Sequence, residues 1–197
     1  MENSALNSTQ AGTYPNAGAG QNGKRYAWTW YDSFGLLDTG LLEHPFFTVP
    51  VGQGGKTLAD TNFPAAGVMP NGFKHTTYEI GVAYWPHAAY TQANFIAILA
   101  FIRQLIFSVQ IQNLPLQGQW SGLELFGLTM PLVITGGAVG DQVLGRNVIA
   151  GGKTLAEPIT LAAQTNFSIP VNQTAASAAA FNTDRVYVFL KGIAETV

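Results

Sequence analysis

The tetrapeptide Gly-Gly-Lys-Thr occurs twice in this sequence, as Gly54-Gly55-Lys56-Thr57 and as Gly151-Gly152-Lys153-Thr154. Each copy extends to GGKTLA and is followed by an acidic residue, Asp60 or Glu157. A glycine-rich loop ending in Lys-Thr can cradle phosphate: backbone N–H groups wrap the anion, and the lysine and hydroxyl complete the site. That chemistry needs a further glycine five residues before the Gly-Lys-Thr, where this chain has Pro50 and Asn147. Neither copy opens a helical pattern either. Both are read as turns, the shared hexapeptide reflecting similar turn geometry or an old duplication.

Other candidates are scattered. His44, His75 and His87 show no H-x-H or H-E-x-x-H spacing, so they form no metal motif in sequence. Ser121-Gly122 lacks the glycine that a nucleophile elbow needs two residues before the serine, because position 119 is Gln119. Glu79 and Glu124 sit in apolar surroundings, as a glycosidase acid and base would, but also as ordinary turn or interface carboxylates do. Trp28, Trp30, Trp85 and Trp120 would suit a sugar platform or, more commonly on a β-sheet, a core or subunit interface. The Asn-x-Ser/Thr matches at Asn7, Asn166 and Asn172 matter only in a secretory pathway. The sequence assigns no catalytic, cofactor-binding or metal-ligating residue, and the chain reads as a non-enzyme.

Composition narrows the classes further. The 197 residues suffice for one domain with a sizeable core. Hydrophobic residues make up 47% and charged residues only 10%, against roughly 25% in an average soluble domain. So little charge fits a neutral Gly/Ser/Thr/Asn/Gln-rich β-protein or, the reading favoured by the abundant aromatics, surface hidden against other subunits. The net charge of −2 offers no basic field, and Lys24-Arg25 is the only adjacent basic pair, so strong nucleic-acid binding is not expected. Cysteine is absent, which excludes disulfides and thiolate metal sites. The first residues, MENSALNSTQAG, lack the basic and apolar regions of a secretory signal. The apolar run Phe95–Phe107 is too short to span a bilayer, which takes around 20 residues.

These residues must be positioned by short elements. Residues 1–24 are an Asn/Ser/Gly/Ala-rich segment with little to bury, expected to form a flexible N-terminal arm. Residues 25–197 read as one domain. Within it, Tyr26, Trp28 and Trp30 alternate with small residues as an aromatic strand, and Phe46–Val49 reads as a second strand between Pro45 and Pro50. Residues 51–73 are loop-like and end in a tight-turn signal, Asn71-Gly72. A strand at 75–85 precedes an apolar run read as a helix capped by Thr91 and running to about Arg103. A buried strand is the alternative, since a uniformly apolar run has no period to separate the two. Phe107, Val109 and Ile111 then alternate with Ser108, Gln110 and Gln112, a strand whose wetter face carries no charge and so suits protein contact. Gly118 and Gly122 mark turns around Trp120, and Leu123–Leu128 and Pro131–Thr135 are short apolar pieces. A loop reaches roughly to Gly152, followed by strands at Glu157–Leu161, Asn166–Val171 and Arg185–Gly192, with an Ala/Ser-rich connection at 172–182. About eight short strands, Gly/Pro loops and one short helix predict an all-β fold: a single jelly-roll-like antiparallel β-sandwich.

The order FFTVPVGQGGKTLADTNFPAAGVMPNGFKHTTYEIGVAYW, then PITLAAQTNFSIPV, then RVYVFLKGI resembles small jelly-roll virion proteins of bacteriophages. The resemblance covers most of residues 46–192 and rests on strand and turn patterns; it carries no catalytic residues. It implies a structural capsid subunit located in the virion, whose partners are copies of itself and other virion proteins. With so weakly basic an arm, an inner face against an internal membrane or another protein layer is also implied. Two other readings stay open: a carbohydrate-binding or receptor-binding spike domain that takes glycans, and a cupin-like metalloenzyme.

Overall fold

A computed structural model describes residues 24–36, 43–86, 92–112, 114, 116–126, 149–173 and 183–196. The arm at 1–23, the Thr91 cap, His87, Pro131–Thr135 and most of the 172–182 connection lie outside the described residues. Among the described residues eight strands and two helices follow one another: β1 Arg25–Gly35, β2 Glu43–Phe46, β3 Phe73–Trp85, α1 Gln92–Arg103, β4 Leu105–Ile111, β5 Gly118–Ser121, α2 Gly122–Phe126, β6 Ile149–Leu161, β7 Phe167–Gln173 and β8 Arg185–Thr196.

Every strand pairing is antiparallel, and the strands fall into two four-stranded sheets, β1-β8-β3-β6 and β2-β7-β4-β5. Consecutive strands repeatedly switch sheets, which is the two-Greek-key order of a jelly roll. The predicted fold class is the observed one. Alternation builds the core: Trp30, Ile80, Val82, Tyr84, Val188 and Leu190 point inward from the first sheet. Phe46, Phe107, Val109, Ile169 and Val171 meet them from the second. Each such side chain contributes about 1.5–3 kcal/mol by leaving water. Helix α1 closes one flank through Ile98, Phe101 and Ile102, with the Phe101 ring 6.4 Å from that of Tyr84.

Several local expectations are corrected. The strand expected at Phe46–Val49 runs instead over Glu43–Phe46, with Pro45 inside it. It stops because Phe47 takes a left-handed backbone, φ 66°, where its N–H meets Asp32 Oδ2 at 2.5 Å and its ring packs against Phe63 and Phe167. The second GGKT is strand, not turn, since β6 begins at Ile149 rather than near Glu157. The stretch around Trp120 forms β5 on the β4 edge, and a second, five-residue helix, α2, replaces the apolar piece expected from Leu123.

One sheet edge, β1, is covered by the chain itself. On the open side of β1, Asn62 acts like an extra strand residue: its Oδ1 accepts from Tyr31 N at 2.8 Å and its Nδ2 donates to Thr29 O at 2.8 Å. Asn62 N and Thr61 Oγ1 both donate to Tyr31 O, at 3.2 and 3.0 Å. A loop has occupied the edge that another chain would otherwise pair with. Among the described residues, no helix is long and apolar enough to cross a membrane.

Candidate functional site

The inward set of β8 forces Tyr187, Phe189 and Lys191 onto the outer face of the first sheet. Their neighbours on β3 are small: Phe189 is opposite Gly81 and Tyr187 opposite Ala83. Beyond them on β6 lie Gly152 and Ala150, while on the other side Tyr31 of β1 faces Phe189. Each row across the sheet therefore steps from large aromatic to small residue. That step forms an open groove of about 650 Å3.

The aromatic wall is ordered. The Tyr187 and Phe189 rings stack with centroids 6.1 Å apart, and Tyr31 lies 6.3 Å from Phe189. Gly81 lets this wall sit close to β3, since a Cβ there would come within 3.3 Å of Phe189 Cβ and 3.2 Å of Lys191 Cε. Trp85 stands exposed at the end of β3 beside the groove. Among the described residues Lys191 is the one charged lining residue, and its Nζ pairs with Glu79 Oε1 at 2.5 Å. Both tyrosine hydroxyls donate to loop carbonyls, Tyr31 to Leu58 O and Tyr187 to Ala59 O. The outer face of an antiparallel sheet in water usually carries polar side chains. This one offers an apolar surface with its few polar groups already engaged.

The two GGKTLA segments border this groove in different ways. In the first, Gly54 and Gly55 have φ 55° and 76°, and Lys56 reaches the fully buried Asp32 carboxylate at 2.5 Å. Burial pushes the Asp32 carboxyl up from its ordinary range, against the pull of Lys56 and the Phe47 N–H. Asp60 accepts from Thr57 N at 2.8 Å and Thr57 Oγ1 at 2.9 Å, and pairs with Arg185. Burial works upward on Asp60 too, but the Thr57 bonds and the Arg185 and Lys56 charges outweigh it and hold the carboxyl below its usual value. These anchors set Leu58-Ala59 on the tyrosines as a wall. In the second copy, Gly151 lies in the groove floor, and Lys153 pairs with Glu124 of α2.

The remaining sequence candidates are not gathered there. Glu79 and Glu124, expected in apolar surroundings, are each half-exposed and held by a different lysine. His75 is buried, its Nδ1 3.1 Å from Thr77 Oγ1 and its Nε2 3.3 Å from Trp28 O; burial brings its pKa down to about 4. His44 stacks on Phe34 at 4.0 Å. Among the described residues, no three His, Asp or Glu side chains group as a metal site would need. Trp30 is core, Trp28 lies edge-on to it at 5.5 Å, and Trp120 packs against the core over Gly118, so only Trp85 presents its ring to solvent. Ser121 receives the Glu124 N–H at the start of α2. Asn172 lies on β7, between Glu43 of β2 and Ile106 of β4; Asn166, just before β7, bridges Val68; and Asn7 lies outside the described residues. Sequence reasoning missed the groove. Its available signal was the alternation of Tyr187, Phe189 and Lys191 against Gly81 and Ala83, which means nothing until the register is known.

A scan against protein-family models finds no match to this chain, and a search of curated proteins finds none.

Proposed function

We propose that this chain is a structural subunit of a bacteriophage capsid that assembles with copies of itself into capsomers in the virion. The observation that carries the reading is the apolar, aromatic-walled groove on the outer face of the first sheet, whose lining lysine is already paired. A surface of that kind marks an interaction site, and its lack of free polar groups suits protein side chains. Two further features support it: a strand order used by viral capsid domains, and a chain with only 10% charged residues. Function is not implied by fold alone, since lectins and cupins share the architecture.

The test is the mass of the purified protein by light scattering on a sizing column, with negative-stain images of the peak. Rings, trimers, pentamers or shells are expected. A particle of about 21 kDa at every concentration overturns the reading. A second reading, glycan binding, is favoured by the exposed Trp85 beside Tyr187, because sugars stack on such rings. Quenching of tryptophan fluorescence by glycans, abolished in Trp85→Ala, would support it.

A further inference from the structure

We propose that the groove is the socket of a head-to-tail contact, filled by the β4–β5 loop of a second copy through Leu114 and Leu116. The inference rests on the capsid-subunit reading and names the contact through which subunits would join.

The loop is the complementary surface in chemistry. Leu114 and Leu116 are among the most exposed large apolar side chains of the described residues, at 58% and 49%. No charged residue occurs anywhere from Gln104 to Leu123. The groove likewise holds no unpaired charge, since Lys191 is satisfied by Glu79. Its 650 Å3 falls within the size of cavities that enclose drug-sized ligands, about 300–1,000 Å3, and so admits a few side chains. An apolar loop entering there leaves no buried charge without a partner, whereas a polar occupant would find both tyrosine hydroxyls already donating.

The occupant must come from another molecule. Val68, just before β3, bridges Asn166, and Phe167 pairs with Ile111. The β4–β5 loop is therefore at the end of the sandwich where β3 begins. Gly81 to Trp85 lie towards the other end of that 13-residue strand, roughly 25–40 Å away at 3.3 Å per residue. The loop is also pinned to its own hairpin, because Leu114 N donates to Ile111 O and Gln117 N to Val109 O. Socket and insert are different surfaces on one chain. Contacts of that kind are heterologous, and they generate rings when the rotation closes.

Three proteins test this: wild type, Ala83→Glu in the socket, and the double variant Leu114→Glu/Leu116→Glu in the loop. Each variant should weaken self-association by about thirtyfold or more, as loss of a central apolar anchor does. Mixing them is the decisive step. The socket variant keeps a sound loop and the loop variant a sound socket, so the mixture should form dimers and nothing larger. Variants that assemble like wild type, or a mixture that stays monomeric, overturn the contact while leaving the capsid reading intact. Monomeric wild type overturns both. Should Ala83→Glu fail to fold, the cysteine-free background supplies a second measurement. Ala83→Cys and Leu116→Cys chains should cross-link on oxidation when mixed and not when alone, and self-cross-linking of either overturns the head-to-tail arrangement.

Discussion

The same six residues, GGKTLA, make a loop at 54–59 and a strand at 151–156. In the loop, glycine is needed for its backbone: Gly55 has φ 76° and open space where a Cβ would go. In the strand, glycine is needed for its size, because a Cβ on Gly151 would collide with the carbonyl of Leu125 and the backbone of Phe126. The lysines diverge as well. Lys56 neutralises a carboxylate with no solvent exposure, whereas Lys153 and Glu124 keep about two-fifths of their side-chain surface in water, at 39% and 44%. Local sequence set neither outcome. What each segment packs against did, and identical residues came to serve opposite physical purposes.

Substitutions can pull that contrast apart. Lys56→Met should have the largest effect, about 3–5 kcal/mol at neutral pH by urea denaturation, since it strands the buried Asp32 carboxylate. The pH of that comparison matters because of His75, whose folded pKa of about 4 lies below its ordinary 6.5. Between those values the unfolded chain binds a proton that the folded chain does not. Stability should therefore fall by about 3 kcal/mol as pH drops from 6.5 to 4, a slope that His75→Gln should flatten.

Gly151→Ala should cost about 2–3 kcal/mol, because helix α2 must move off β6 to admit one methyl group. Gly55→Ala should cost only about 1–2 kcal/mol, the penalty for an L side chain in a left-handed conformation with room around it. Smallest of all, Lys153→Met should change stability by at most about 0.5 kcal/mol, as exposed ion pairs do. Equal losses at Lys56 and Lys153 would show that burial does not separate the two copies.

Much of the fold was legible because alternation survives in sequence. Phe107, Val109 and Ile111 announced β4, and the run Arg185–Leu190 announced β8, since one face of each had to be apolar. The apolar run before Arg103 suited a helix or a buried strand alike, and the structure makes it α1, ending at Arg103 as the helical reading expects. The second GGKT was not, because glycine signals a turn locally and its strand role depends on Leu125 and Phe126, some 25 residues earlier. Asp32 was likewise hidden. In sequence it stands with Gly35, Asp38 and Gly40 in a stretch of aspartates and glycines that reads as turns; only the fold makes it the buried counter-ion of Lys56 and the anchor of Phe47 N. The groove was illegible for the same reason, being a property of register among four strands.

Asn62 and its neighbour Thr61 give the β1 edge one more consequence. A β-sandwich at high concentration runs the risk that sheets join edge to edge into fibres that never come apart. With the Thr29 and Tyr31 backbone groups already satisfied by a side chain of the same molecule, that route is closed at β1. At that edge, copies brought together by crowding meet side-chain surfaces, whose contacts form and release, rather than a free backbone ladder.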